Sequence, residues 1–155
     1  MEKLSISPAE YFAAVSPAIT AGETAVFTVT GGSMLPFLGG GRDRVVIHAV
    51  DYSSLRRGDI VLVKAAEDRY LLHRVIQIKN DGFVTRGDWN PSDDGEFPPE
   101  ALFARVISVL RKGRTIDTSS PLWRAAGMLW NALFPLRPLL KRIIQFISRI
   151  KSGKS

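Results

Sequence analysis

The sequence predicts a mainly β fold with helical termini: a compact, mostly antiparallel β unit followed by amphipathic C-terminal helices. Three observations carry this. Between Glu23 and Thr115, short runs rich in Val, Ile, Phe and Thr are broken by Gly, Asp and Asn, the pattern of strands and turns. An Ala-rich stretch precedes them, and after Thr118 the composition changes to apolar stripes interleaved with Lys and Arg. At 155 residues, with 45% apolar and 23% charged side chains, the chain suits one domain of ordinary size with a buried core. The expected organisation is an N-terminal helical segment over 1–22, a β domain over 23–117 and a basic amphipathic helical tail over 118–155.

Taken in order, Pro8 to Ala21 reads as a helix begun by Ser7 and Pro8, which Pro17 is expected to divide or end. Six strands follow, at Thr24 to Thr30, Arg44 to Val50, Asp59 to Lys64, Tyr70 to Ile78, Gly82 to Arg86 and Leu102 to Leu110, with a last one at Arg111 to Thr115. Asn80-Asp81-Gly82 is the expected hairpin turn, because Asp-Gly tolerates the positive φ such a turn uses. Thr118 to Pro121 reads as a helix start, with a capping residue before Pro at the first helical position. Pro135 and Pro138 then divide the tail into helices over about Leu122 to Phe134 and Leu139 to Lys151. In the second, Leu139, Leu140, Ile143, Ile144, Ile147 and Ile150 recur at three and four residues.

Composition excludes several chemistries. Without cysteine there are no disulfides, thiolate metal sites or cysteine nucleophile, and two histidines leave little for an imidazole metal site. No metal and no cofactor is expected.

The net charge of +6 is informative by position. Met1 to Ser120 holds 14 basic and 15 acidic residues, whereas Pro121 to Ser155 holds 7 basic and no acidic ones. A basic tail attracts nucleic acid or an anionic membrane surface. A nucleic-acid arm would be polar; this tail carries Trp123, Trp130, Phe134 and the Leu139 to Ile150 stripe, which points away from nucleic acid. The alternatives are a peripheral membrane contact through 121–155 or packing of the same stripe on the β unit. No signal peptide or span is read: the uncharged runs Tyr11 to Gly22 and between Arg124 and Arg137 are each 12 residues, against the ~20 a spanning helix needs. The expected setting is cytoplasmic or peripherally membrane-associated.

The chemistry-bearing stretch is Gly31-Gly32-Ser33-Met34-Leu35-Pro36, where a strand runs into two glycines and a serine. Glycine permits unusual dihedrals and close backbone approach, so such a turn can hold a hydroxyl at the mouth of a sheet. Downstream follow Arg57-Gly58-Asp59-Ile60-Val61, then Tyr70-Leu71-Leu72-His73-Arg74-Val75, then Gly87-Asp88-Trp89-Asn90-Pro91-Ser92-Asp93-Asp94. A serine needs a base within about 2.6–3.2 Å to attack an amide at neutral pH. A histidine is the natural candidate, since a neutral imidazole accepts the hydroxyl proton and returns it to the leaving amine.

In these boxes and their order, the sequence resembles the signal peptidase and repressor-peptidase superfamily of serine peptidases, over roughly Thr24 to Val109. Ser33 to Pro36 is similar to the family's Ser-Met-x-Pro nucleophile box. His73-Arg74-Val75 falls where bacterial signal peptidases carry Lys-Arg-Val, and a histidine there resembles the endoplasmic-reticulum and archaeal signal peptidase type. Gly87 to Asp94 resembles that type's Gly-Asp-Asn-Asn followed by paired aspartates, and Phe97 to Val106 its last segment.

The resemblance implies a serine endopeptidase that cleaves a leader or signal peptide laid along a strand edge, with small side chains flanking the cut. It implies Ser33 as nucleophile, His73 as base and Asp94 as the acid that orients it, with Asp93 and Asp88 as alternates, and Gly32, Ser33 and Met34 at the oxyanion or substrate. Two departures stand out. Gly31 holds the place of a hydroxyl residue that helps bind the oxyanion, leaving the Ser33 N–H with Thr30 or a loop amide; and Trp89 replaces an asparagine. A repressor-type self-cleaving peptidase would carry lysine at position 73. Gly31 also keeps open a catalytically silent peptide-binding module on the same fold. His48, Asp59, Asp88 and Lys64 read more simply as a half-buried strand residue, two turn formers and a solvated strand end.

Overall fold

The computed structural model describes residues 7–153; residues 1–6 of the expected N-terminal segment and 154–155 of the tail lie outside the described residues. Helix α1 spans Pro8–Thr20, and eight strands follow: β1 Thr24–Thr28, β2 Asp43–His48, β3 Ile60–Ala66, β4 Arg69–Ile78, β5 Phe83–Arg86, β6 Glu96–Phe97, β7 Leu102–Arg111 and β8 Arg114–Asp117. Helices α2 (Pro121–Ala132) and α3 (Arg137–Ser152) close the chain, joined by a short 3₁₀ turn at Phe134–Leu136. The strands form one sheet in the order β1-β2-β7-β3-β4-β5-β6, with β8 on β7, and every pairing is antiparallel. The expected mainly β fold with helical termini is the fold found.

Local chemistry explains the elements and where the expectations slip. Helix α1 starts with a capping box, in which Ser7 Oγ accepts the Glu10 N–H and the Glu10 carboxylate accepts the Ser7 N–H. Pro17 does not divide or end it: the helix runs on to Thr20, with Phe12 and Ile19 buried in the core and both Pro17 and Ala13, whose carbonyl loses its helical N–H, exposed. The hairpin at Asn80 to Gly82 exists, closed by the Lys79 N–H on the Gly82 carbonyl at 2.7 Å, but neither Asp81 nor Gly82 takes a positive φ. Positive φ is used instead at Lys112 (48°) and Gly113 (74°), a two-residue turn between β7 and β8. Position 111 to 115 is therefore a turn and a new strand. The two-residue β6 has no sequence signal of its own length.

β3 lies at the centre, and its alternate residues serve two cores. Ile60 and Leu62 join Phe12, Met34, Leu38, Val45 and Ile47, whereas Val61 and Val63 join Leu55, Val75 and Phe83. Near-continuous burial over Ile60 to Val63 follows from this position.

The loop between β1 and β2, which carries Gly31 to Gly41, is shaped by one buried carboxylate. Asp43 is fully buried and accepts the Gly39 N–H (2.8 Å), Arg42 and Arg111; Arg111 also reaches the Phe37 carbonyl at 2.6 Å. Burial pushes the Asp43 carboxyl up, but Arg111, Arg42 and the Gly39 N–H outweigh it and hold the group well below the ordinary carboxylate range. A depressed folded-state pKa stabilises the fold above the unfolded value and loses that stabilisation as pH falls toward the folded value. Asp43→Asn should cost about 2–4 kcal/mol at neutral pH by chemical denaturation. The wild-type advantage over this variant should shrink as pH drops below about 4.

Candidate active site

Three of the residues singled out in the sequence meet: Ser33 from the β1–β2 loop, His73 from β4 and Asp94 from the loop after β5. Alternation along β4 sends neighbours to opposite faces, so His73 and Arg74 do different work. His73, 5% exposed, turns toward the loop carrying Ser33. Arg74 turns to the other face and is 1% exposed.

On the His73 side, Nδ1 lies 2.6 Å from Asp94 Oδ2 and Nε2 lies 3.1 Å from Ser33 Oγ. A carboxylate only accepts, so Nδ1 carries the proton and donates to Asp94. Nε2 is left as an acceptor for the Ser33 hydroxyl. The Thr85 hydroxyl donates to the same Asp94 oxygen at 2.7 Å, and the Asp94 N–H donates to the Thr85 carbonyl at 2.9 Å, so the carboxylate is held by its side chain and its backbone. Thr85 is fully buried on β5. Nothing in its sequence context marks it, since a threonine in an alternating strand is ordinary.

The other candidates separate. Asp93 is exposed and accepts the Gly95 N–H at 2.9 Å. Asp88 does not shape its own turn, as the sequence suggested; it is fully buried and takes Arg74 in a two-point pair, Nε to Oδ1 at 2.8 Å and Nη2 to Oδ2 at 2.7 Å. Asp59 does accept a turn N–H, that of Arg56 at 2.9 Å, but it also pairs with Arg124 at 2.8 Å and Arg105 at 3.4 Å. His48 is held between the Ala49 and Gly22 carbonyls, a structural position. Lys64 is exposed on β3, opposite Tyr70 and away from Val61, which is the residue paired with His73.

The Ser33 loop and the Asp94 loop are tied directly. The Trp89 N–H donates to the Ser33 carbonyl at 2.9 Å. A Cβ on Gly87 would come within 2.7 Å of that carbonyl and 2.6 Å of Asn90 Nδ2, so position 87 admits only glycine without displacing the serine. Gly31 has φ +73°, the left-handed conformation that favours glycine, and carries no hydroxyl. Among the described residues, no backbone acceptor takes the Ser33 N–H.

Ser33 and His73 open on a groove of about 350 Å³ lined by Phe27 to Thr30 at the end of β1, Leu62 on β3 and Tyr70 to Leu72 on β4. Met34 is 2% exposed; it belongs to the core and also forms part of the groove floor. Tyr11 and Phe12 of α1 line the groove as well, and the Tyr11 hydroxyl donates to the Val26 carbonyl of β1 at 2.5 Å.

Sequence reasoning missed the part played by the tail. Trp130 of α2 donates its indole N–H to the Asp88 carbonyl at 2.6 Å, and its ring stacks on Trp89 with 6.4 Å between centroids at 4°. Gly127 lies against the Arg74 guanidinium, where a Cβ would meet Nη1 at 2.5 Å. Arg137 is 2% exposed, its pKa pushed down to about 10 by burial and then by Arg86. It reaches the Asn131 side chain at 3.0 Å and the Asn90 carbonyl at 3.4 Å. Helix α2 and the start of α3 therefore pack on the β unit through Gly127, Trp130 and Arg137, whereas the Leu139 to Ile150 stripe expected to do so is exposed.

No protein-family model and no curated protein matches the chain. Among the described residues, no group of His, Asp or Glu could hold a metal ion, and no helix is long and apolar enough to cross a membrane.

Asp88 and Asp94 should respond differently to substitution. Asp88→Asn strands the Arg74 charge and should cost about 3–5 kcal/mol of stability. Asp94→Asn retains an oxygen for Thr85 and should cost no more than about 1 kcal/mol. Urea denaturation of both variants checks this; equal losses would contradict the division of labour.

Proposed function

We propose that the protein is a serine endopeptidase of the signal peptidase-like type, which cleaves a leader or signal peptide with Ser33 as nucleophile, His73 as general base and Asp94 as the group that orients it. The observation that supports this best is the continuous chain from Ser33 Oγ through His73 to Asp94, at 3.1 and 2.6 Å, facing an apolar groove. The resemblance of the four sequence boxes to that superfamily raises the same reading.

The chemistry follows from the donors and acceptors. As Ser33 Oγ attacks the scissile carbonyl carbon, its proton passes to His73 Nε2, and Asp94 stabilises the imidazolium that forms. The proton then goes to the leaving amine, which gives an ester at Ser33 and frees the C-terminal fragment. Water, deprotonated by the same imidazole, hydrolyses the ester. The Ser33 N–H supplies one oxyanion donor, and Thr30, which lines the groove, or a loop amide supplies the other. On this reading an extended peptide lies in the groove that the ends of β1 and β4 line, and no cofactor enters the reaction.

The alternative is a catalytically silent peptide-binding module. Gly31 favours it, since the missing hydroxyl removes a donor of the kind whose loss costs about 10²–10³ in turnover. We place the protein in the cytoplasm or at the periphery of a membrane, with a peptide or protein as partner and not nucleic acid, because the basic side chains of the tail alternate with exposed apolar ones.

Labelling by a serine-reactive peptidyl probe separates the two readings. Wild type should label and Ser33→Ala should not, and His73→Ala should label slower by about 10³-fold or more with the melting transition little changed. Lys64→Ala should behave as wild type. Wild type that never labels would favour the silent module.

A further inference from the structure

Helices α2 and α3 treat the β unit differently. Helix α2 buries Gly127 and Trp130 against it, and α3 contributes Arg137. Lys141 still reaches back, donating to the Trp89 carbonyl and lying 4.7 Å over the Trp89 ring. Beyond Lys141 every described residue of α3 is exposed, including Ile143 (46%), Phe146 (64%) and Ile150 (48%).

These exposed apolar residues are ordered around the helix. At about 100° per residue, Leu139, Ile143, Phe146 and Ile150 fall within about 60° of one another, and Leu140, Ile144 and Ile147 widen the stripe to about 160°. Arg142 and Arg149 border one edge and Lys151 lies at the other, while Lys141 is on the polar face, held at Trp89. Gln145, Ser148 and Ser152 occupy the centre of the opposite face. No acidic residue occurs after Asp117.

We propose that α3 is an in-plane anchor for an anionic lipid bilayer, with the Leu139 to Ile150 stripe seated at the boundary between headgroups and acyl chains. The charge pattern selects this occupant. Two copies of α3 packed stripe to stripe would bring like-charged borders together with no carboxylate to relieve them. A bilayer offers an apolar interior and a continuous anionic plane at the level of both borders. The 16-residue helix is about 24 Å long, shorter than the ~30 Å hydrocarbon core, so it lies along the surface. Because its first turn is fastened to Trp89 and Asn90, docking would orient the Ser33 groove relative to the lipid. The inference does not depend on the peptidase reading.

Cosedimentation of the full chain with phosphatidylcholine vesicles, with and without about one-third phosphatidylglycerol, tests it. Wild type should bind the anionic vesicles at low salt, bind the neutral ones at least tenfold more weakly, and be released as salt rises. Ile143→Asp combined with Phe146→Asp should lower anionic-vesicle partitioning by roughly a hundredfold. Arg142→Glu with Arg149→Glu should lower it by more than about tenfold. All four positions are exposed, and unchanged thermal melting of both variants verifies that the fold is kept. Failure of wild type to bind anionic vesicles at low salt overturns the proposal, as does undiminished binding by the Ile143/Phe146 variant. A concentration-dependent dimer that this variant abolishes, without lipid binding, would assign the face to a second copy.

Discussion

The buried ion pair between Arg74 and Asp88 is the constraint on which the rest of the site depends. It joins strand β4 to the loop that begins at Gly87, two segments that share only a short ladder between β4 and β5. Burying two charges is expensive, and the cost is offset only when every donor and acceptor is met. Here Asp88 is taken at two points, Arg74 Nη1 also donates to the Gly58 carbonyl at 2.9 Å, and the Phe37 ring lies 4.8 Å from the guanidinium. The pair thus holds β4, which carries His73, to the start of the loop that ends at Asp94.

Helix α2 acts as the cover that keeps water from this pair. Trp130 closes over the Asp88 backbone, and Gly127 allows the helix to lie directly on the Arg74 guanidinium. The cover has a cost of its own. Arg86 and Arg137 each retain a buried Nε without a partner, and both guanidinium groups lie over the Phe134 ring, at 3.8 and 4.9 Å. Aromatic faces and the Asn131 side-chain oxygen thus take the place of a second carboxylate in a cluster that is rich in positive charge.

Much of this was legible in the sequence and some was not, for identifiable reasons. Period-two runs located seven of the eight strands to within a few residues, and the Ser7 and Ser120 caps marked two helix starts. Ser33, His73 and Asp94 could be proposed as a set because each sits in a distinctive short box. The choice among Asp88, Asp93 and Asp94 needed three dimensions: adjacent carboxylates differ in which partner they reach, and Thr85 and Arg74 lie on other strands. Trp89 looked like a departure from pattern until Trp130, 41 positions on, proved to stack on it. Asp43 was silent for a similar reason, as its partner Arg111 is 68 residues away in sequence. The tail was ambiguous because amphipathic periodicity reports an apolar face without saying what meets it: α2 packs on the β unit, and α3 leaves its stripe exposed.

The contact between Tyr11 and β1 has a consequence for what the groove could read. β1 is the end strand of the sheet, and its Val26 carbonyl is already engaged by the Tyr11 hydroxyl. On the peptidase reading, a chain pairing with this edge has backbone partners beside Thr28 and beyond, toward Ser33, but meets an aromatic wall of Tyr11 and Phe12 on the far side. Recognition would then be confined to a few side chains next to the cut. Such an enzyme would choose substrates by accessibility of a short exposed segment more than by a long motif, and its selectivity would have to come largely from where the enzyme itself is held.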